Sequence, residues 1–264
     1  MELLGKQSAI NTEWEKIIKK EREFIKKRQE KKSSIINKKL EEKVPEKLGE
    51  TLDKAFEKAF GLVFQKGTSI IEKTYKREEI EKTYQVQQFE ADLRKNKKSL
   101  NAMKKQATQA GLGNLMLSGI SGVGLGALGI GLPDIPILIG LILKNIYEIA
   151  LHYGFSYESE EEQYFILLII QGANSYGEEL KQINKSLNRY CALGEFSTTD
   201  SKQDQICKTS KILSEELLYM KFLQGIPIVG VVGGAYDVVY MQRINEYAKI
   251  KYRYRYLLNQ RSRL

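Results

Sequence analysis

One stretch of the chain is apolar almost without interruption. Leu112 to Leu143 spans 32 residues and carries a single formal charge, at Asp134. Its first part is studded with glycines, and the motif LPDIP separates it from a second apolar run, ILIGLILKNIYEIAL. Runs of this length are typical of a helix at the centre of a fold or of a segment in lipid. The pattern therefore predicts an apolar hairpin that is either buried in the protein or in contact with a bilayer.

The residues of this hairpin argue against a straight membrane span. Gly122 and Gly126 lie one helical turn apart, which lets helix backbones approach closely; a loop over residues 118–131 is the alternative. Leucine and isoleucine within 125–143 favour insertion by roughly 3–7 kcal/mol, and Asp134 opposes it by about 3 kcal/mol, with further costs from proline and glycine. A shallow hairpin with Asp134 at the headgroups, or burial within the protein, fits better than a span.

Local signals place the ends of the second apolar helix. Asp134 stands immediately before it and Pro136 falls in its first turn, which is the chemistry of a helix start. We expect the helix to run to His152 and Gly154 to cap it. Asp134 is therefore interpreted as a cap and not as a catalytic acid.

Helical periodicity predicts two helices near the beginning of the chain. Residues 12–43 read as one long charged helix, whose apolar stripe fails where Arg28 and Lys32 occupy the next core positions. A second helix opens at Pro45 and presents one apolar face to the core. That face comprises Leu48, Leu52, Ala55, Phe56, Ala59, Phe60 and Val63.

Capping boxes predict the starts of two further helices. Ser69 with Glu72 indicates a third helix through about Tyr84, and a lysine-rich fourth helix covers about 89–109. Ser159 with Glu162 indicates another helix after the hairpin.

A second glycine-rich element lies near the end of the chain. The run GIPIVGVVGGAYDVVYMQRI repeats the Gly-[Leu/Ile]-Pro device and contains Gly230 and Gly234. With strand-like alternation scarce, the predicted fold is all-α. It is a single multi-helix domain, 44–264, with glycine-rich apolar hairpins at its centre and a basic N-terminal helical arm, 1–43.

The net charge of +9 is confined to one part of the sequence. Residues 1–110 hold 27 Lys and Arg against 18 Asp and Glu, whereas residues 111–264 hold 15 of each. A basic face suits an anionic bilayer, where each Lys or Arg near the surface contributes about 1 kcal/mol, and it would equally suit nucleic acid. Candidate membrane or partner contacts are Lys19, Lys20, Lys26, Lys27 and Arg28 on the arm and Leu125, Leu128, Ile130, Leu132, Ile137 and Leu138 on the hairpin.

The residues offer little support for catalysis. His152 is the only histidine, so a histidine-dependent triad would have to use it, and we interpret it as a helix-terminal residue. No phosphate-binding loop, zinc motif or nucleophile elbow occurs, and we expect no cofactor and no metal. The enzyme alternative is a hydrolase that uses carboxylates such as Asp134, Asp237 or Glu148 in a pocket between the hairpins.

Cellular setting and partners follow from the remaining features. Cys191 and Cys207 are expected to be free thiols, and the N-terminus lacks a secretory signal, which favours the cytoplasm. The alternating Tyr/Arg run 252–256 could stack on nucleic-acid bases. We favour instead a terminal helix with Tyr247, Tyr254 and Leu258 on one face and solvated arginines, because no nucleic-acid-binding motif accompanies the run.

Several of these motifs together resemble the EcsC family of bacterial proteins. The similarity rests on Asp134-Ile135-Pro136, on Tyr153-Gly154 and on the later element Pro227-Ile228-Val229-Gly230 with Gly234-Ala235. It covers about Pro45 to Leu258 and leaves the arm outside. The resemblance implies structural roles for Asp134, Pro136, Gly154, Pro227, Gly230 and Gly234.

The family takes its name from an operon with an ABC transporter, so the resemblance implies a membrane-adjacent setting. We expect a non-enzymatic accessory protein at the inner face of the cell membrane. Its partner would be an anionic membrane surface or a membrane protein complex such as an ABC transporter.

Overall fold

Nine helices make up the part of the chain that the computed structural model describes, which is residues 2–30, 46–64, 71–94, 96–109, 135–196, 200–223 and 233–263. They are α1 (Glu2–Lys26), α2 (Glu46–Leu62), α3 (Arg77–Arg94), α4 (97–109), α5 (Ile135–His152), α6 (Glu160–Asn174), α7 (Gly177–Leu193), α8 (Lys202–Leu223) and α9 (Gly233–Arg261). No strand occurs within these ranges. The predicted all-α fold is confirmed.

The terminal helix α9 organises the packing. It contacts α1, α5, α6 and α7, while α5 also packs against α2 and α3, and α8 lies against α2 and α6. Because of these contacts, helices that are distant in sequence together form the core.

Helix α5 is a core helix that has the length and composition of a membrane span. Within the described ranges it is the one candidate, with a mean hydropathy of 1.5. Yet 72% of that apolar window is buried inside the protein, and every residue from Ile142 to Tyr153 is buried. Such burial is what an all-round apolar helix requires in a helical domain.

Both ends of α5 lie where the sequence predicted. The helix starts at Ile135, immediately after Asp134, and Pro136 occupies its first turn. It ends at His152, and Gly154 follows in the left-handed region with φ of 78°. A side chain at Gly154 would also collide with the ring of Tyr84, which occupies the ideal Cβ position. Glycine is therefore required there for two independent reasons.

The predicted limits of the third helix and the predicted start of the fourth were wrong, whereas α4 extends to 109 as predicted. α3 begins at Arg77 and continues to Arg94, and the helical turns of α4 begin at 97. Asn96 opens α4, because its Oδ1 accepts a hydrogen bond from the backbone N–H of Ser99 at 3.0 Å. Glu72 instead accepts hydrogen bonds from Arg77 and Tyr157.

Helix α1, the first part of the predicted basic arm, packs into the core. Ile10, Ile17 and Phe24 are buried, and Phe24 stacks on Tyr247 of α9 with ring centroids 4.8 Å apart. Its apolar stripe was predicted correctly, but the helix ends at Lys26 and not near residue 43. Residues 31–43, and with them the rest of the predicted arm, lie outside the described residues.

Several predictions concern residues that lie outside the described ranges. These are the close approach at Gly122 and Gly126, the alternative loop 118–131, the cap at Asp134, and the motif residues Pro227 and Gly230.

Candidate functional site

Several basic side chains of α9 point into the protein. Lys251 is fully buried, and its Nζ donates to Oε1 of Glu21 at 2.5 Å and to Oδ1 of Asn188 at 2.8 Å. Burial lowers the pKa of Lys251, and the negative charge of Glu21 opposes that shift. This lysine joins α9 to both α1 and α7.

Two arginines of the same helix are also enclosed. Arg253 donates to the backbone oxygen of Leu100 at 2.5 Å and to Glu13 at 3.2 Å. Arg255 donates to Glu162 at 2.6 Å and stacks over Phe155 with its guanidinium carbon 4.2 Å from the ring centre. The expectation that these arginines are solvated was wrong, because carboxylates on α1 and α6 meet them inside the fold.

These carboxylates already have structural partners. Glu162 accepts from Arg255 and from the hydroxyl of Tyr252 at 2.7 Å. Its backbone N–H donates to Oγ of Ser159 at 3.1 Å, so half of the predicted capping box is present. The acids of this region therefore hold helices together and do not form an open catalytic pair.

A second polar cluster surrounds the end of α5. The hydroxyl of Tyr75 donates to that of Tyr157 at 2.6 Å, and Tyr157 donates to Oε1 of Glu72 at 2.5 Å. Arg77 donates to Glu72 at 2.9 Å, and Tyr147 stacks on Tyr157 with centroids 4.0 Å apart. Burial raises the pKa of Tyr75 to about 12 and raises the pKa of Tyr157 as well. These phenols are protonated at neutral pH and act as hydrogen-bond donors.

His152 has no environment suited to proton transfer. It is buried, and desolvation lowers its pKa to about 4, so the imidazole is neutral at physiological pH. The predicted position of His152 at the end of a helix is confirmed, but a neutral imidazole brings no positive charge to the last carbonyls. In the part of the chain that the structure describes, Nδ1 has no hydrogen-bond partner, and no group of three metal-ligating side chains occurs.

The structure describes only one of the three carboxylates of the hydrolase alternative. Glu148 is buried on α5, with Oε1 3.9 Å from Nζ of Lys144. Asp134 and the side chain of Asp237 lie outside the described residues. Their convergence in one pocket stays a prediction.

The described residues also place lysines from three helices on one surface. Lys20 of α1 is exposed, and Lys104 of α4 and Lys249 of α9 are partly exposed and near enough to Lys20 to feel its charge. Burial lowers the pKa of Lys104 and of Lys249, and repulsion from the charge of Lys20 lowers both further. Lys16 adds to the repulsion at Lys104. We name Lys16, Lys20, Lys104 and Lys249 the lysine cluster.

Among the residues that the structure describes, most members of the lysine cluster form no salt bridge. Lys16 pairs with Glu13 at 2.7 Å. Lys104 feels the attraction of Glu13 and Lys249 that of Glu246. Among the described residues, however, no salt bridge reaches Lys20, Lys104 or Lys249. Of the four lysines in the lysine cluster, sequence analysis identified only Lys20 as a candidate contact, because no local pattern indicates that helices α4 and α9 pack beside it. The charge surplus of residues 1–110 was the available signal.

The chain matches the EcsC protein family over residues 10–257. It belongs to the EcsC protein family. Comparison with curated proteins and with solved structures gives no match.

The EcsC match begins earlier than the sequence motifs suggested. It includes most of α1, whereas the resemblance had been placed from Pro45 onward. The packing explains the difference, since Glu13, Glu21 and Phe24 bind residues of α9 and so belong to the same core.

The predicted contact residues divide into three groups. Lys19, Lys20, Lys26, Lys27 and Ile137 are exposed, and remain candidates for a membrane or partner contact. Arg28 and Leu138 are buried, so they cannot meet a bilayer in this conformation. The guanidinium of Arg28 sits 5.0 Å from the ring centres of both Phe24 and Tyr176. Leu125, Leu128, Ile130 and Leu132 lie outside the described residues.

The EcsC motif residues divide in the same way. Gly154 and Pro136 occupy the ends of α5, and Gly234 lies in the first turn of α9. Asp134, Pro227 and Gly230 are outside the described residues.

Proposed function

We propose that this protein is a non-enzymatic accessory protein that associates peripherally with an anionic membrane. The lysine cluster is the observation that supports the proposal, because three helices bring like charges together on one surface without salt bridges to Lys20, Lys104 or Lys249 among the described residues. Concentrating like charges disfavours the free protein, and an anionic surface relieves that repulsion.

Other features of the described residues agree with this proposal. The buried acids pair with basic or hydroxyl groups, the tyrosines are protonated, and His152 is neutral. The setting that we propose is the inner face of the cell membrane, in the service of a membrane complex such as an ABC transporter. The family resemblance supports this association with a membrane complex.

Vesicle binding tests the proposal. The triple variant Lys20→Gln, Lys104→Gln, Lys249→Gln should bind phosphatidylglycerol-containing vesicles about a hundredfold more weakly than the wild type, because each lysine contributes about 1 kcal/mol. The matched control replaces the exposed lysines Lys181, Lys185 and Lys211 with glutamine, which changes the net charge equally on α7 and α8.

Binding should disappear at high salt and on pure phosphatidylcholine. In cells, the protein should leave the membrane fraction in a high-salt wash. Equal loss of binding in both triple variants would mean that net charge and not the lysine cluster is responsible. A wild-type protein that fails to bind anionic vesicles at low salt would refute the proposal.

A further inference from the structure

Helix α3 carries apolar side chains on the face that points away from the protein. Val86, Phe89 and Leu93 are 62%, 68% and 67% exposed, which makes them the three most exposed large apolar residues of this helix. Their spacing of three and four residues puts them on one face. Gln87 and Ala91, which are buried, lie on the opposite face. We name Val86, Phe89 and Leu93 the α3 stripe.

This arrangement reverses the usual order of a surface helix. The centre of the solvent face normally carries charged or polar residues, and the apolar stripe faces the core. A single exposed apolar residue needs no explanation, but three on one face form a patch of the kind that marks a binding surface. The α3 stripe was not recognised in the sequence, because α3 was divided there between two predicted helices.

The charge next to the α3 stripe indicates what covers it. Between Leu93 and Gln109 the chain contains six basic residues and no acidic one: Arg94, Lys95, Lys97, Lys98, Lys104 and Lys105. Arg94, Lys97, Lys98 and Lys105 are exposed. On the stripe's own helix, Glu90 lies 3.8 Å from Arg94 and Asp92 accepts from Gln88 at 2.9 Å.

We infer that the α3 stripe enters the headgroup region of an anionic bilayer while the basic residues from Arg94 to Lys105 contact lipid phosphates. The inference rests on the proposed function and names the element that inserts. Apolar side chains beside basic ones are the composition by which interfacial helices bind anionic lipid. A bilayer accounts for the stripe and for the adjoining basic surface of α4 together, whereas a second copy of the chain would account for the stripe alone.

Depth-sensitive fluorescence tests this inference. The indole introduced by Phe89→Trp should be quenched by lipids brominated on the acyl chain when phosphatidylglycerol-containing vesicles are present. The control is Leu193→Trp at the end of α7, where the native residue is 62% exposed, and its indole should not be quenched. Native Trp14 provides the baseline in both variants.

Alanine substitutions give a second measurement. Phe89→Ala and Leu93→Ala should each weaken vesicle binding about tenfold, since each removes apolar area that the bilayer would bury, and Leu193→Ala should leave it unchanged. Because these side chains are exposed, all three variants should retain the wild-type circular dichroism spectrum and thermal midpoint.

The outcomes separate this inference from the proposed function. If the wild type binds vesicles but Phe89→Ala binds equally and the indole of Phe89→Trp is not quenched, the stripe does not insert while the lysine cluster still binds. If the wild type does not bind at all, both proposals fail.

Two results without lipid would also overturn the inference. Self-association of the wild type that Phe89→Ala abolishes would assign the stripe to a second copy of the chain. Blue-shifted emission from the introduced indole in a lipid-free Phe89→Trp monomer would assign the stripe to another part of the same chain.

Discussion

At the scale of single residues, Gly154 carries the sharpest constraint. Its φ of 78° places it in the left-handed region, and the ring of Tyr84 occupies the space of a side chain. Gly154→Ala should lower the free energy of unfolding by about 1–2 kcal/mol through backbone strain and by a further 1–3 kcal/mol or so through the clash. Denaturant titration measures the sum.

Gly194 is the matched control for this substitution. Its φ of 73° is similar, but among the described residues no atom beyond its chain neighbours lies within 4 Å of the ideal Cβ position. Gly194→Ala should therefore show the cost of backbone strain alone. Adding Tyr84→Ala to Gly154→Ala should recover part of the loss. Equal costs at the two glycines would show that the ring of Tyr84 moves aside freely.

His152 gives stability a dependence on pH. Its pKa falls from 6.5 in the unfolded chain to about 4 in the folded protein, because burial disfavours the cation. The unfolded chain therefore binds the extra proton between these values. The free energy of unfolding therefore carries no penalty from His152 above pH 6.5. It decreases as the pH falls toward 4, by about 3 kcal/mol in total.

Comparison with His152→Phe isolates this contribution from that of the carboxylates. Between pH 7 and pH 4 the wild type should lose more stability than the variant, as measured by urea unfolding at each pH. Parallel pH profiles would mean that His152 titrates normally and is therefore accessible to water.

At the scale of helices, the pairing of Glu21 with Lys251 fastens α1 to α9. Lys251→Met should cost about 3–5 kcal/mol, because it leaves the carboxylate of Glu21 buried without its cation. Replacing both, by Glu21→Leu with Lys251→Met, should cost less than the single change. Lys76→Met in the exposed pair of Lys76 with Glu79 should leave the unfolding midpoint unchanged. Equal midpoints for Lys251→Met and the wild type would contradict the burial of this pair.

At the scale of helices, neighbouring residues predict where a helix begins and ends but not which distant residues it contacts. The start and end of α5 and the core face of α2 follow from neighbouring residues, and they were predicted correctly. Glu72 looked like a capping residue, but Tyr157 and Arg77 bind it, and Tyr157 lies 85 positions away. The arginines of α9 looked solvated for a similar reason, since no local pattern indicates that Glu13 will lie beside Arg253. Spacing along one helix predicts that helix, whereas partners on distant helices are decided by tertiary packing.

At the scale of the whole molecule, α9 should make unfolding cooperative. It packs against α1, α5, α6 and α7. The only tryptophan, Trp14, lies in the interface of α1 with α9, 4.8 Å from the ring of Tyr254. Tryptophan fluorescence therefore reports this interface, and far-ultraviolet circular dichroism reports all helices. The two transitions should coincide in denaturant. A fluorescence transition at lower denaturant would show that α1 detaches first.

The bonds between α1 and α9 also affect the order in which the protein can be built. Glu13 and Arg253 are 240 positions apart, and Glu21 and Lys251 are 230 apart. Because translation proceeds from the N-terminus, α1 leaves the ribosome long before its partners Lys251 and Arg253 on α9 are synthesised. During that interval its apolar stripe lacks its contacts with α9. The native core can consequently be completed only after α9 has been synthesised, and nascent chains of this protein should be substrates for chaperones until α9 emerges.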